Sequence, residues 1–150
     1  MDLTNDSVID AVRTEIASDP RIPYWDEVAV EAYGDTVTLR GTVGSFAQQR
    51  AAVNDARRTP GVVDVYDELE VRLLDDDRRK DAEIRGAALQ RIGWDSQIPG
   101  DYIDVGVKDG WVTIKGDVDF QFQSDLAFDD VSVLYGVTGV TNEIRVVERV

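Results

Sequence analysis

The chain has 150 residues, a formal net charge of −14, and neither cysteine nor histidine. Disulfides, thiolate and imidazole metal sites, cysteine nucleophiles and every histidine-based mechanism are therefore excluded. The negative charge repels nucleic acid and anionic membranes at long range, so the sequence predicts no nucleic-acid partner and disfavours a membrane surface.

The acidic character comes mainly from aspartate, since the chain has 22 Asp and 13 Arg but only 3 Lys. Such a surface suits a salty cytoplasm, where screening relieves self-repulsion, although ordinary solubility is the simpler explanation. No stretch approaches the roughly 18 apolar residues of a membrane-spanning helix. The N-terminal region also lacks the basic and apolar segments of a secretory signal, and a cytoplasmic location is expected.

The predicted elements begin with a helix that stops before Asp19, because apolar residues recur at helical spacing up to that point: Val8, Val12 and Ile16. Alternating apolar residues then predict two strands, over 28–32 and 37–43. Between them, Gly34 and Asp35 tolerate positive φ and predict a tight hairpin.

A second helix is predicted from Ser45, a favourable N-cap residue, to Arg58. Pro60-Gly61 ends it, and a last strand is predicted over 62–73. The linker that follows holds three consecutive aspartates at 75–77. Because acidic residues are favoured at helix N-termini, these aspartates predict the start of a third helix.

From there the pattern repeats. Residues 34–71 align without a gap on residues 109–146, with 12 of the 38 positions identical, among them Asp55 with Asp130. Upstream, one residue of slippage aligns Asp19 with Asp95. The second repeat predicts a helix through Ile84, Ala88 and Ile92, strands over 103–107 and 112–118, a helix over 120–134 and a strand over 137–147. The chain is therefore a tandem duplication with domains 1–74 and 75–150.

Each repeat has the order α-β-β-α-β, which predicts an α+β fold, an α/β sandwich. The first two strands form an antiparallel hairpin, and a right-handed crossover makes the third strand parallel to the second. Two helices then cover one face of a three-stranded mixed sheet. Glycines at equivalent positions receive structural roles in hairpin turns, at close chain approaches and at helix ends: Gly34, Gly41, Gly61, Gly110, Gly116 and Gly136.

These motifs resemble a known family. VTLRGTV followed by PGVVDVYDELEV, and VTIKGDV followed by YGVTGVTNEIRV, are similar to the BON domain, named for bacterial osmotically inducible and nodulation proteins. The two repeats cover nearly the whole chain and look like soluble tandem-BON proteins without a signal peptide. The resemblance implies a non-catalytic binding module associated with osmotic stress. Some family members bind anionic phospholipid, and one type binds potassium.

The carboxylates offer few candidate sites. DVD at 117–119 is followed by Phe, Gln and Phe without the turn glycine of an EF-hand loop, so a weak cation site is the only metal hypothesis, with Asp117, Asp119 and Asp125 as the best available ligands. Asp55 and Asp130 are interpreted as helix-capping or surface salt-bridge residues rather than catalytic ones. No cofactor is predicted.

Two surfaces are candidates for a partner. The fourth helix carries apolar residues where the second helix has smaller or charged ones, and this extra surface predicts burial against the other repeat or another chain: Phe122, Leu126, Phe128 and Val133. The alternative roles for these residues are a larger local hydrophobic core and a groove for a ligand. Trp111 lies on the strand face opposite Val112 and Ile114, where the helices do not cover the sheet, and it is the second candidate contact.

The sequence thus favours a cytoplasmic, non-enzymatic binding or scaffold protein with a stress-related role, acting through a protein partner or self-association. The alternative is a sensor of a small ligand, either K⁺, Ca²⁺ or phospholipid headgroups. A carboxylate-based hydrolase is a distant third hypothesis.

Overall fold

The structure, a computed structural model, describes residues 4–147. The chain divides into two compact units, residues 1–72 (unit 1) and 73–150 (unit 2). The elements of unit 1 are α1 (Asn5–Ala17), β1 (Val28–Tyr33), β2 (Thr36–Val43), α2 (Phe46–Arg58) and β3 (Asp64–Val71). Those of unit 2 are α3 (Asp81–Trp94), β4 (Ile103–Lys108), β5 (Trp111–Val118), α4 (Gln121–Ser132) and β6 (Gly139–Val146).

Each unit contains one three-stranded mixed sheet, with the strand orders β1-β2-β3 and β4-β5-β6. The first two strands of each sheet are antiparallel, and the third is parallel to the second. The predicted α+β fold of two repeated α-β-β-α-β units is therefore confirmed.

The first two helices begin where the sequence provides a side-chain N-cap. The Thr4 hydroxyl accepts a hydrogen bond from the Ser7 backbone N–H at 3.1 Å, and the Ser45 hydroxyl does the same for Gln48 at 3.1 Å. The stripe of α1 is fully buried, as is its counterpart on α3: Val8, Val12 and Ile16, and Ile84, Ala88 and Ile92. They pack on the inward residues of the central strands, so one face of each sheet is covered.

The first residue of the first helix in each unit holds the hairpin turn. The Asn5 side-chain oxygen accepts from the Gly34 backbone N–H at 2.9 Å, and the Asp81 carboxylate accepts from those of Asp109 and Gly110 at 3.0 Å each. Gly34, Asp109 and Gly110 have positive φ, as a tight turn requires.

The close approach expected at the strand glycines is confirmed. Gly41 has φ +119°, and a Cβ there would lie 2.0 Å from the Glu27 carbonyl oxygen. In unit 2, a Cβ on Gly116 would lie 2.1 Å from the Tyr102 carbonyl oxygen. A side chain is therefore excluded at both positions by backbone, not by movable side chains.

The helix start predicted at residues 75–77 is wrong. Asp75–Asp77 form a separate 3₁₀ turn, and the chain becomes extended again at Arg78 before α3 begins at Asp81. The Arg79 guanidinium donates to the carbonyls of Asp76 and Arg78, which ends the short turn. Asp81 must in addition be at the helix start to reach the hairpin.

Candidate functional site

The face of the unit 2 sheet that the helices leave uncovered is the main candidate site. Along β4 and β5 its residues alternate with mostly buried ones, and strand register adds the β6 residues that pair on the same surface. We call this surface the open sheet face of unit 2; its members are Asp104, Gly106, Lys108, Trp111, Thr113, Lys115, Asp117, Gly139, Thr141, Glu143 and Arg145.

Trp111 lies where the sequence placed it, opposite the buried Val112 and Ile114, and is 49% exposed. Its ring lies flat along β6, because a Cβ on Gly139 would be only 2.3–2.6 Å from three atoms of the six-membered ring. Its indole N–H donates to the Thr141 hydroxyl at 2.7 Å. One ring face thus covers the glycine, and the hydrogen bond fixes the ring's orientation.

The small residues around Trp111 are specific to unit 2. Trp111 pairs with Gly139 across the parallel strands, and Gly106 pairs with Thr113 across the hairpin. The equivalent positions of unit 1 hold Thr36, Asp64 and Glu31. Unit 2 therefore has glycine where unit 1 has an acid at two positions of this face: Gly139, under the tryptophan ring, and Gly106, which borders the same cleft as Trp111.

The two open sheet faces also differ in charge. In unit 2, three acidic and three basic side chains lie on the strands: Asp104, Asp117, Glu143, Lys108, Lys115 and Arg145. Two of the basic ones pair with acids on the face, Arg145 with Asp117 at 3.0 Å and Lys115 with Glu143 at 3.5 Å. The strands of unit 1 carry four acids against one base on the same face: Glu31, Asp64, Glu68, Glu70 and Arg40.

Two shallow clefts lie on the open sheet face of unit 2. One of about 620 Å³ is bordered by Gly106, Lys108, Trp111 and Thr113. The other, of about 380 Å³, lies between Tyr102, Lys115 and Arg145. The face therefore has a depression on either side of its centre that can receive a partner's side chains.

The apolar surface predicted on α4 is only partly exposed. Phe122 is 49% and Val133 53% exposed, whereas Leu126 and Phe128 are half-buried. Phe120, just before the helix, stacks on Phe122 with ring centroids 5.7 Å apart. The exposed part is thus a small patch of two aromatic rings and a valine at the other end of the helix.

The three candidate metal ligands are not brought together. Asp117 pairs with Arg145 on the sheet, and Asp125 accepts a hydrogen bond from Gln121 on α4. Within residues 4–147, no group of three or more acidic side chains could hold a metal ion.

The salt bridge expected of Asp55 is present, with Arg58 and Arg21, but its expected place on the surface is wrong. Asp55 lies in the last turn of α2 and is 1% exposed. Asp130 occupies the same place in α4, and its side chain is 17% exposed. Repeat identity was the signal that singled out both residues, but it did not reveal their burial.

Sequence reasoning found Trp111 but missed the glycines beside it. The pairing of β5 with β6 brings Gly139 to Trp111, and the pairing of β4 with β5 brings Gly106 to the nearby Thr113. It also missed the exposed aromatic residues Tyr33 and Tyr66, which strand alternation could have placed on an open surface, and Tyr102, which lies just before β4. None of the described helices is long and apolar enough to cross a membrane.

Comparison with known proteins matches the model of the BON domain twice, over residues 4–72 and 80–148. Osmotically-inducible protein Y of Escherichia coli (strain K12) is 32% identical over 151 residues, which covers 94% of this chain and 72% of that protein. The resemblance indicated by the repeated motifs is therefore confirmed.

Two solved structures are also similar. Both are of CdsD, a structural protein of the type III secretion system of Chlamydia trachomatis, one of them of its C-terminal domain. They align with TM-scores of 0.41 and 0.39 at 9% and 10% identity, and cover 98% and 97% of this chain. This chain spans 65% and 68% of their lengths.

Proposed function

Because this chain belongs to the BON-domain family, we propose that it is a non-catalytic binding or scaffold protein related to osmotic stress. Its contact surface for a protein partner is the open sheet face of unit 2. The stress relation is supported by the name of the similar Escherichia coli protein, and the contact surface by the geometry around Trp111.

The observation that carries the proposal is the tryptophan that lies flat on Gly139. Tryptophan is enriched among the residues that dominate protein interfaces, because its large rigid ring loses little conformational entropy on binding. Here the ring is already held by its hydrogen bond to Thr141. A partner would therefore meet a preorganised apolar surface rather than a mobile side chain.

The charge of the face supports a protein partner in the same way. A chain of net charge −14 repels other acidic proteins over most of its surface. The open sheet face of unit 2 is locally balanced, so a partner can approach it without that repulsion. The open sheet face of unit 1 is acidic and is therefore less favourable for such a contact.

Replacing Trp111 with threonine, the unit 1 residue, tests this function. We expect the affinity for the partner that co-purifies with the chain to fall about thirtyfold, as for a central interface residue. The measurement is quantitative co-purification from the source cells, followed by titration with the retained partner. Sedimentation identifies the case in which that partner is another molecule of this chain.

The matched control is Trp94→Thr, since Trp94 is 76% exposed but lies at the end of α3, away from the sheet. It should retain the partner at wild-type affinity. Equal retention by wild type and Trp111→Thr would refute the proposed surface.

A small-ligand sensor has less support. The described part of the chain has no acidic cluster for Ca²⁺, and the negative charge opposes binding to anionic lipid headgroups. K⁺ binding and the cytoplasmic location stay predictions.

A further inference from the structure

Unit 1 contains two buried carboxyl groups near each other. Asp19, just after α1, and Asp55, in the last turn of α2, both pair with the guanidinium of Arg21. The side chain of Asp19 is 7% and that of Asp55 1% exposed. Arg21 pairs with Asp19 at 2.7 Å and lies 3.7 Å from Asp55, whose Oδ1 also accepts from Arg58.

Unit 2 repeats this arrangement at the equivalent positions. Asp95, which follows α3, corresponds to Asp19, and it is close enough to Asp130 in α4 to raise the pKa of Asp130. Arg91 lies 3.7 Å from Asp130 Oδ1, and Asp129 adds a further negative charge. The pair therefore lies at the same corner of each unit, between the end of its first helix and the last turn of its second.

The arginines around the two pairs are not equivalent. The positions of Arg21 and Arg58 are occupied in unit 2 by Gln97 and Val133, and Arg91 corresponds to Glu15 in unit 1. The carboxyl pair thus persists where its cationic neighbours have changed. Each repeat thus supplies its arginine from a different position, so no single salt bridge explains why both repeats keep both carboxyl groups.

A proton explains the feature. Asp55 Oδ2 and Asp130 Oδ2 are buried and have no hydrogen-bond donor when all four carboxyls are ionised. Two carboxylates cannot hydrogen-bond to each other, because neither has a hydrogen to donate. A proton on Oδ2 would donate to the neighbouring aspartate and satisfy the buried oxygen.

We infer that each unit holds a proton-binding site, formed by Asp19 and Asp55 in unit 1 and by Asp95 and Asp130 in unit 2, and that the bound proton locks the corner between the two helices. Loss of the proton leaves two negatively charged carboxylates close together in a buried environment. The corner is then weakened, so that mild acidification strengthens the fold.

The electrostatics agree with this geometry. Burial, followed by the neighbouring Asp19, raises the pKa of Asp55 to about 6, although Arg58 opposes the shift. Burial and Asp95 raise the pKa of Asp130 to about 6 against the effect of Arg91. The hydrogen bond from Arg21 holds the pKa of Asp19 well below its usual range.

The direction of the pH effect follows from these shifts. A carboxyl whose pKa is raised on folding stabilises the folded state fully below its ordinary pKa, near 4, and this contribution is lost as the pH rises through about 6. Asp19 has the opposite shift, so its contribution is kept throughout that window. Histidine, which usually titrates there, is absent from the chain.

The first experiment measures the Tm of the full chain at pH 5.0 and 7.5. We expect wild type to melt about 5 °C higher at pH 5.0. The double variant Asp55→Asn/Asp130→Asn carries a neutral group with N–H donors in place of each protonated carboxyl. Its Tm at pH 7.5 should exceed that of wild type, and its pH dependence should be largely lost.

The matched control, Asp10→Asn/Asp125→Asn, removes the same number of charges from exposed positions of the same two units. It should keep the pH dependence of wild type. If the asparagine pair instead melts below wild type at pH 7.5 and keeps its pH dependence, the inference is overturned.

A second measurement uses the wild-type chain and does not depend on how the variants fold. Carbon-detected NMR follows the side-chain carboxyl signals during a pH titration. The signals of Asp55 and Asp130 should titrate near pH 6. Midpoints below pH 5 for both residues would overturn the inference.

Discussion

Replacing Gly41 with alanine should lower the free energy of unfolding of unit 1 by at least about 3 kcal/mol. The new Cβ would lie 2.0 Å from the Glu27 carbonyl oxygen, and the residue would have to keep φ +119°. Both costs fall on backbone at the end of the β1–β2 pairing, where neither strand can shift without losing register. Denaturant unfolding followed by circular dichroism measures the loss, and Gly116→Ala should repeat it in unit 2.

The control for this prediction is Gly86→Ala. Gly86 lies within α3, is exposed, and has nothing within 4 Å of a Cβ built on it. Alanine there should stabilise the chain by about 0.5–1 kcal/mol, because glycine loses more backbone entropy in a helix. A Gly41→Ala chain as stable as wild type would mean that the glycine is not required by the close approach.

Replacing Gly139 with aspartate, its unit 1 counterpart, should have the largest effect on partner binding. The side chain would occupy the space of the Trp111 ring, which must then leave the sheet and lose its hydrogen bond to Thr141. It would also add a negative charge to a balanced face. We expect binding to weaken about a hundredfold or more in the same titration.

The reverse change in unit 1, Asp64→Gly, is the control. It alters the equivalent strand position without touching the tryptophan and should leave partner affinity unchanged. An unchanged affinity in Gly139→Asp, with the fold retained by circular dichroism, would contradict the importance of the flat ring.

Most of the fold could be predicted because two signals reinforced each other. Helical and strand periodicity placed every helix and strand, and the repeat confirmed each assignment in a second sequence. Strand ends were less accurate: the third strand was predicted from residue 62, but β3 begins at Asp64. The intervening Val63 instead donates its N–H to the Asp35 carbonyl at 2.8 Å, which docks the chain on the hairpin before pairing begins.

The candidate site could be predicted only in part. Strand alternation placed Trp111 on the uncovered face, because successive side chains in a strand point to opposite faces of the sheet. The residues that surround Trp111 depend on which strands pair and in what register, and no local sequence pattern reveals this pairing. Comparing the repeats column by column would have helped, since Thr36 becomes Trp111 and Asp64 becomes Gly139 in the same two strands.

The burial of the aspartate pair could not be predicted from local sequence either. Aspartate is seldom fully buried, so the sequence predicts a capping or surface salt-bridge role for Asp55. Its burial comes from the segment around Asp19, some 36 residues away in the chain. Both aspartates are present at equivalent positions of both repeats, and this was the signal in the sequence that they act together.

Site-specific photo-crosslinking in the source cells tests the central claim most directly. Thr113 and Thr38 are identical residues at equivalent positions of the two open sheet faces, and both are half-buried. A photoreactive phenylalanine derivative at Thr113 should give discrete protein adducts that disappear with Trp111→Thr, whereas the same derivative at Thr38 should give none. Adducts from Thr38 alone, or adducts at Thr113 that persist without the tryptophan, would contradict the assignment of the open sheet face of unit 2 as the contact surface.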